Sequence, residues 1–363
     1  MQLRGRKQIA AVGGAVAVAL LAACSSSTTS APPAATGGAT SGSTSAALSG
    51  TLNGSGSTFQ TPFQEQAIQN FKSVQSGMTV NYGGGGSGKG RTDLASGVVN
   101  FAGSDSPVPS KEASNFSGKT VLYFPVVIGP ITLSYNLSGV SNLKLDATTI
   151  ANIFQAKIKT WNDPAIKALN SGVTLPSTPI TIAVRSDSSG TTQNFSLFLD
   201  TAVPSVWTLG SSSTISWPST ARAGNGNSGV AQIVKSTAGA IGYVDYADAK
   251  ASGLTYASVK NKDGNYVAPS SAGASAAASG VTIKPDLTFH AVWAPGAQAY
   301  PITYQSWDLV IQAQSSANTT KMLQAYIGYL LGDGQKLLPQ LNYAPLPANL
   351  DQQAVAQLSK IGS

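Results

Sequence analysis

The chain has 363 residues, of which 22 are Lys or Arg and 15 are Asp or Glu, so its formal net charge at pH 7 is +7. Only 10% of the residues are charged and no basic cluster stands out, so the composition does not indicate a nucleic-acid partner. The chain holds one cysteine and one histidine. This excludes an intramolecular disulfide and disfavours a thiol or histidine-rich metal site.

The N-terminal segment has the pattern of an export signal. Arg4, Arg6 and Lys7 form a short basic region, and an uncharged apolar run follows over 9–23. That run is too short and too rich in Gly and Ala for a membrane span, but it suits the apolar core of a secretory signal. We therefore predict a signal peptide over 1–23. Its removal takes three positive charges, which lowers the net charge from +7 to about +4.

The apolar run ends in the motif Leu21-Ala22-Ala23-Cys24. Small residues directly before a cysteine resemble the lipobox of bacterial lipoproteins. The resemblance implies cleavage before Cys24 and a diacylglyceryl (palmitate-type) anchor on its sulfur; an ordinary secretory signal with a chance cysteine is the alternative. Residues 24–48 are almost all Ser, Thr, Ala, Gly and Pro. Because such a segment cannot bury enough apolar surface to fold, we predict a flexible tether.

Helical and strand patterns alternate along the rest of the chain. Apolar residues at helical spacing behind Pro62 predict a helix over 61–74. Further helices are predicted over 148–158, 163–170, 191–199, 319–331 and 335–341, and strands over 78–82, 98–103, 121–135, 180–185 and 240–246. The polar, Ala/Ser-rich stretch 262–280 has no clear period and is interpreted as a surface excursion. The alternation indicates an α/β fold.

Three turns rich in Gly, Ser and Thr, over 53–59, 83–90 and 185–191, are predicted where strands end and helices begin. A helix N-terminus presents unpaired N–H groups and the positive end of its dipole, which favours an anion. Glycines allow close approach of the backbone, and hydroxyls add neutral donors. One such turn can be an ordinary turn. Three of them, together with Arg185, predict an oxyanion site.

The second turn also matches the start of a nucleotide-binding P-loop. Gly83, Gly88 and Lys89 have the spacing of that motif, but Gly90 stands where a Ser or Thr must bind magnesium. An exported chain is also separated from nucleoside triphosphates. The pattern therefore does not favour a nucleotidase.

At this level of detail the chain resembles the phosphate-binding proteins of the high-affinity bacterial phosphate ABC importer. The resemblance covers the chain from Leu52 to the C-terminal region and depends on segments 56–59, 81–87, 101–105, 184–191, 239–244 and 301–303. Two departures stand out. Gln60 replaces a proline that is common in the family, and the loop 223–229 follows the family's glycine-asparagine loop only in part, so no ligand role is assigned to it.

The resemblance implies a two-lobed α/β periplasmic-binding-protein fold of type II. One lobe would combine 49–128 with 303–363, and the other would span 129–302. The crossovers near 124–133 and 300–303 would form the hinge. The resemblance also implies a monomer that needs no cofactor. It would lie on the outer face of the cell membrane, held only by its lipid anchor, and deliver inorganic phosphate to the importer's membrane permease subunits.

The family's ligand groups transfer to eight positions of this chain: Thr58, Phe59, Ser87, Asp105, Arg185, Ser189, Gly190 and Thr191. The resemblance implies that hydroxyls and the N–H groups of Phe59 and Gly190 donate to the anion. Arg185 would supply positive charge, and Asp105 would accept a hydrogen bond from the ligand. No catalytic or metal-binding residue is implied.

Elementary chemistry is consistent with these roles. The fork of Arg185 matches paired oxyanion oxygens, and Asp187 is close enough in sequence to hold it. A carboxylate such as Asp105 repels a dianion unless the ligand carries a proton. Phosphate at neutral pH carries one and sulfate does not, so Asp105 predicts rejection of sulfate.

Simpler interpretations remain open from sequence alone. Asp105 could cap the turn after its strand, and Arg185 could form a surface ion pair. The chain could bind sulfate or molybdate, act as a secreted phosphatase, or serve as a sensor or adhesin. Enzymatic function is disfavoured because His290, the sole histidine, is interpreted as structural and no Gly-x-Ser-x-Gly motif is present.

Overall fold

The computed structural model describes residues 48–363. The predicted signal peptide (1–23), Cys24 and the predicted tether up to residue 47 lie outside these residues. Within 48–363, none of the helices combines the length and apolar character that a membrane span requires.

The described residues contain twelve strands and ten α-helices. The strands are β1 (Gly50–Gly56), β2 (Met78–Gly85), β3 (Phe101–Ser104), β4 (Val121–Tyr135), β5 (Lys144–Leu145), β6 (Thr181–Arg185), β7 (Arg222–Gly224), β8 (Ala240–Asp245), β9 (Thr255–Tyr256), β10 (Ser258–Lys260), β11 (Tyr266–Val267) and β12 (Thr303–Ile311). The helices are α1 (Thr61–Val74), α2 (Ser87–Ala95), α3 (Ala147–Phe154), α4 (Pro164–Leu169), α5 (Gly190–Ala202), α6 (Gly226–Ser236), α7 (Tyr246–Ala251), α8 (Ser271–Ala278), α9 (Ala317–Leu331) and α10 (Ala348–Gln357).

Most strands belong to one sheet with the order β2-β1-β3-β12-β4-β8-β6-β7, in which β9 also pairs with β4. The pairs β1–β2, β1–β3, β6–β7 and β6–β8 are parallel, whereas β4 and β12 run antiparallel to their neighbours. A small sheet of β11, β10 and β5 stands apart from the large sheet. This mixed architecture agrees with the predicted α/β class.

The long strand β4 divides the large sheet into two halves. Residues Val121–Pro130 pair with β12, and residues Ile131–Tyr135 pair with β8. We call the strands β2, β1, β3, β12 and the first part of β4 the first half, and the remaining strands of the sheet the second half. All residues of β4 except Val121 are buried, which explains its continuous apolar sequence.

The amphipathic helix predicted over 61–74 is confirmed as α1, which buries Phe63, Ala67 and Phe71. Pro62 occupies its first turn, where the missing N–H has no partner to lose.

Two sequence interpretations were wrong, and the bounds of a third were wrong. The helix predicted over 335–341 is a 3-10 helix at Asp333–Leu337 followed by turns, and the last α-helix is α10 instead. The interpretation of 262–280 as a surface excursion missed α8. This helix packs against β4 and β12, and its Ala274 and Ala277 are buried. The turn predicted over 53–59 lies within β1 as far as Gly56, because backbone pairing continues along a Gly/Ser sequence.

Candidate functional site

The predicted site residues follow strands of both halves of the sheet. The parallel strands β1 and β3 end at Gly56 and Ser104, so the segments after them leave the same edge. In the second half, β6 ends at Arg185, and α5 begins five residues later. Gly56 is required because its φ is +135° and a Cβ there would lie 2.1 Å from the carbonyl oxygen of Gly103.

Asp105 lies at the centre of the first half's contribution and is 1% exposed. Its Oδ1 accepts hydrogen bonds from Ser57 Oγ at 2.5 Å and Ser306 Oγ at 2.6 Å. Its Oδ2 accepts from Ser87 Oγ at 3.3 Å, and its own N–H donates to Ser87 Oγ at 3.1 Å. The carboxylate is therefore held by hydroxyls of three separate segments.

Gly190, at the start of α5, packs directly against this carboxylate. A Cβ at Gly190 would lie 2.4 Å from Ser87 Oγ and 2.5 Å from Asp105 Oδ2. The first turn of α5 thus meets the first half of the sheet with no room for a side chain. Ser189 caps the same helix, since its hydroxyl accepts a hydrogen bond from the N–H of Thr192.

Arg185 is buried, with 5% of its surface exposed. Its Nε and Nη2 donate to the two carboxylate oxygens of Asp187 at 2.8 and 2.5 Å, which confirms the predicted contact between these side chains. Its Nη1 donates to Thr191 Oγ1 at 3.3 Å. The N–H of Gly226 also donates to Asp187, at 3.0 Å. The pair orients the guanidinium toward the start of α5.

Thr58 joins the cluster through a residue to which the sequence analysis assigned no role. The side-chain amide of Asn227 donates to Thr58 Oγ1 at 3.2 Å and to Thr191 Oγ1 at 3.4 Å. The side chain of Phe59 lines this region, and its ring stacks on the ring of Tyr304 with centroids 4.1 Å apart. Its N–H, expected to be a ligand donor, donates to Ser57 Oγ at 3.1 Å here.

Burial and charge set the protonation of these groups. Burial raises the pKa of Asp105 above its ordinary value, although Ser306, Ser57, Arg185 and Ser87 all act to lower it. Burial alone would lower the pKa of Arg185, but Asp187 raises it, so the guanidinium stays charged.

The two halves of the sheet also contact each other directly around the cluster. The N–H of Gly88 donates to the Ser188 carbonyl at 2.9 Å, and the side-chain amide of Asn194 donates to the Asp105 carbonyl at 2.7 Å. A cavity of about 360 Å³ opens beside Thr58 and Gly226. The polar cluster therefore lies between segments that follow strands of the two halves, next to a cavity.

The structure brings all eight predicted positions into this one region, and the two simpler interpretations do not fit it. Asp105 contacts distant hydroxyls and does not cap a helix in the described residues, and Arg185 is not on the surface. Sequence reasoning missed Ser57, Ser306 and Asn227. The partial family match of the loop 223–229 was a usable signal for Asn227, whereas nothing local marked Ser306. Among residues 48–363, no three His, Cys, Asp or Glu side chains are grouped as a metal ion would require.

Comparisons with known proteins identify the family of the chain. A family model described as a PBP superfamily domain (PBP-like 2) matches residues 41–333. The phosphate-binding protein PstS 3 of Mycobacterium leprae is 35% identical over 305 residues, which cover 81% of this chain and 82% of that protein. The phosphate-binding protein PstS of Pasteurella multocida is 34% identical over 310 residues, covering 84% and 88% respectively.

The fold of this chain is also similar to that of a solved structure. It is that of a high-affinity periplasmic phosphate-binding protein (PfluDING) bound with phosphate, with a TM-score of 0.70 and 23% identity. The match covers 85% of this chain and 94% of that one. It confirms the predicted two-lobed periplasmic-binding-protein fold.

The Arg185–Asp187 pair predicts a pH-dependent contribution to stability. Burial raises the pKa of Asp187, but the hydrogen bonds and charge of Arg185 outweigh this and lower it below its ordinary value. Ionised Asp187 therefore stabilises the fold above about pH 4, and this contribution is lost as the pH falls through the lowered pKa. We expect Asp187→Asn to reduce the free energy of unfolding at pH 7 by about 1–3 kcal/mol, because Arg185 loses its counter-charge.

Urea unfolding of both proteins between pH 2.5 and 8 measures this difference, which should shrink below pH 4. Asp333→Asn is the matched control, because Asp333 pairs with Lys336 on the exposed surface and its loss should change stability by less than about 0.5 kcal/mol. A difference for Asp187→Asn that is constant down to pH 2.5 would contradict the prediction.

Proposed function

The chain belongs to the PstS family of phosphate-binding proteins within the PBP superfamily, and from this premise we propose that it captures inorganic phosphate in a cleft between two lobes and delivers it to an ABC importer. The observation that carries the proposal is the buried carboxylate of Asp105. It lies against Ser87 of its own lobe and against Gly190, which the second lobe contributes together with Arg185. A site for a protonated oxyanion needs a buried hydrogen-bond acceptor of this kind.

We divide the chain into a first lobe of 49–128 with 303–363 and a second lobe of 129–302. The change of β4 from pairing with β12 to pairing with β8 between Pro130 and Ile131 supports this division. Phosphate held between the lobes would stabilise the closed state, because only that state supplies donors from both sides. Thr58, Phe59, Ser87 and Asp105 would bind from the first lobe, and Arg185, Ser189, Gly190 and Thr191 from the second.

Each group has a distinct task in this scheme. The first turn of α5 contributes backbone N–H groups and the positive end of its dipole, and the hydroxyls of Thr58, Ser87 and Thr191 add neutral donors. Arg185 supplies a fixed positive charge, which Asp187 orients. Asp105 accepts a hydrogen bond from the protonated oxygen of the ligand, so an anion without a proton places two acceptors against each other. Sulfate is therefore the disfavoured alternative ligand.

The proposal assigns binding without catalysis. The relatives are binding proteins by name, and the cluster contains no histidine. A phosphatase would release phosphate from a monoester. Such release by the purified protein, abolished in Asp105→Asn, would overturn this part of the proposal.

We expect phosphate to bind the exported protein in calorimetric titration, and Arg185→Ala to weaken that binding about 100-fold or more, because the anion loses its buried counter-charge. Arg222→Ala is the matched control, since Arg222 is an exposed arginine whose recorded side-chain bond is to Thr237. Thermal unfolding of each variant checks that the fold is intact. Equal affinities for the folded wild type and Arg185→Ala would mean that the site is misplaced.

We expect Asp105→Asn to change selectivity more than stability. The amide of asparagine can donate to an oxygen that has no proton, so the ratio of phosphate to sulfate affinity should fall about tenfold or more. Competition titrations with both anions measure this ratio. Asp93→Asn serves as control, because Asp93 contacts Lys89 and Ser55 away from the cluster. An unchanged ratio in Asp105→Asn would exclude proton recognition by this carboxylate.

We further propose that the chain is exported, cleaved before Cys24 and held as a monomer on the outer face of the membrane by lipid alone, where it meets the importer's permease subunits. The motif ending in Cys24 and the small polar residues that follow it support this arrangement. Cys24→Ser should move the protein from the membrane fraction of the producing cells to the soluble fraction, with phosphate affinity unchanged. Retention of the variant on membranes would argue for another anchor.

A further inference from the structure

A chain of buried polar side chains runs from the Asp105 carboxylate away from the cleft. Ser306 Oγ, which bonds Asp105 Oδ1, also receives a hydrogen bond from Gln60 Nε2 at 2.7 Å. Gln60 Oε1 accepts from Gln64 Nε2 at 3.0 Å, and Gln64 Nε2 also donates to Asp308 at 3.0 and 3.2 Å. All five residues are buried, at 1% exposure or less.

The directions of these hydrogen bonds are fixed by groups that can only accept. The carbonyl of Trp307 accepts from Gln60 Nε2 at 2.9 Å, so the amide nitrogen of Gln60 must face β12. The same nitrogen then donates to Ser306, and the hydroxyl hydrogen of Ser306 is left to point at Asp105. Gln64 is oriented likewise, because its Nε2 faces Gln60 Oε1, which can only accept, and Tyr326 then donates to its Oε1 at 2.6 Å.

Ser57 repeats this arrangement on the other side of the same oxygen. The N–H of Phe59 donates to Ser57 Oγ, and Ser57 donates to Asp105 Oδ1. Oδ1 is thus occupied by two directed hydroxyls. Oδ2 has one longer bond, from Ser87 at 3.3 Å, and faces the first turn of α5 at Gly190.

From this asymmetry we propose that Gln60 and Ser306 are positioning residues for anion recognition. They hold Asp105 so that its Oδ1 accepts hydrogen bonds from the protein, while its Oδ2 remains available to accept a hydrogen bond from the protonated ligand. The inference rests on the proposed phosphate-binding function. It gives a role to Gln60, the residue that departs from the proline common in the family.

The hydroxyl donors also favour the ionised form of the carboxylate. Burial raises the pKa of Asp105, and Ser306 is the strongest of the groups that oppose this rise. The other titratable groups that face Asp105 are Arg185, which stays charged, and Tyr82, Tyr304 and Tyr343, whose pKa values are raised by burial. Removing the Ser306 hydroxyl therefore raises the pKa of Asp105 further. A protonated Asp105 is neutral, so it accepts the phosphate hydrogen less strongly and can donate its own proton to an oxygen of sulfate.

The test is calorimetric titration of the exported protein with phosphate and with sulfate between pH 6 and 9. We expect Ser306→Ala and Gln60→Met each to lower the phosphate-to-sulfate affinity ratio about tenfold at pH 8. Their phosphate affinity relative to wild type should fall further as the pH decreases. Comparing variant and wild type at the same pH cancels the titration of phosphate itself.

Ser306→Thr keeps the hydroxyl and should restore both the ratio and the pH profile. Ser134→Ala is the matched control, since it removes a buried serine hydroxyl that bonds Thr132 on β4, and both readouts should stay at wild-type values. Thermal unfolding of each protein verifies that it is folded.

Three results would count against the inference. Wild-type ratios and profiles in Ser306→Ala and Gln60→Met would overturn it, as would an equal loss of affinity for both anions without a change in pH profile, which is the signature of a purely structural role. If the wild type itself bound no phosphate, the proposed function would fail first and the inference with it.

Discussion

The burial of one carboxylate, that of Asp105, determines how the segments around it must pack. A carboxylate withdrawn from water must be hydrogen-bonded or paired with charge, since an uncompensated buried charge is strongly destabilising. Here three hydroxyls from separate segments donate to it, and Arg185 of the second half adds positive potential. These donors must arrive together, which requires β1, β3 and β12 to be adjacent and their ends to be closely packed. Gly56 and Gly190 are glycines because that packing leaves no space for a Cβ.

At the proposed phosphate site, the charged side chains around the cleft do not carry a net positive charge. Arg185 contributes one positive charge, whereas Asp187 and Asp105 contribute two negative ones when both are ionised. The charge of Arg185 must therefore be supplemented by oriented dipoles: the N–H groups at the starts of α2 and α5 and the surrounding hydroxyls. The hydrogen bonds from such donors weaken if the donors move, because each bond depends on the angle at its hydrogen. The bonds between the halves at Gly88–Ser188 and Asn227–Thr58 define the geometry in which these donors converge.

Local sequence patterns predicted the elements that a single segment specifies. The boundaries of α1 follow from Pro62 and from apolar spacing, and β4 follows from its unbroken apolar run. The Gly/Ser turns and Arg185 marked the cleft because their chemistry is visible within a few residues. Ser306 could not be found in this way, since it contacts Asp105 across 201 positions of sequence and is an ordinary serine within a strand. Helix α8 was missed because an Ala-rich helix has no polar face to create a period.

The surroundings, and not the charge of Asp308, fix the hydrogen-bond directions in the network of Ser306, Gln60, Gln64 and Asp308. Burial raises the pKa of Asp308 to about 7, so its carboxyl changes charge near neutral pH. A neutral Asp308 still presents one accepting oxygen to Gln64, and the Trp307 carbonyl orients Gln60 in either case. The hydrogen bond from Ser306 to Asp105 therefore keeps its direction whichever form Asp308 takes. A buried network of this kind is useful only when every member is satisfied, because a missing donor leaves an unpaired group in a medium of low polarity. Removing Gln60, Gln64 or Ser306 would therefore leave a buried neighbour with one hydrogen bond fewer.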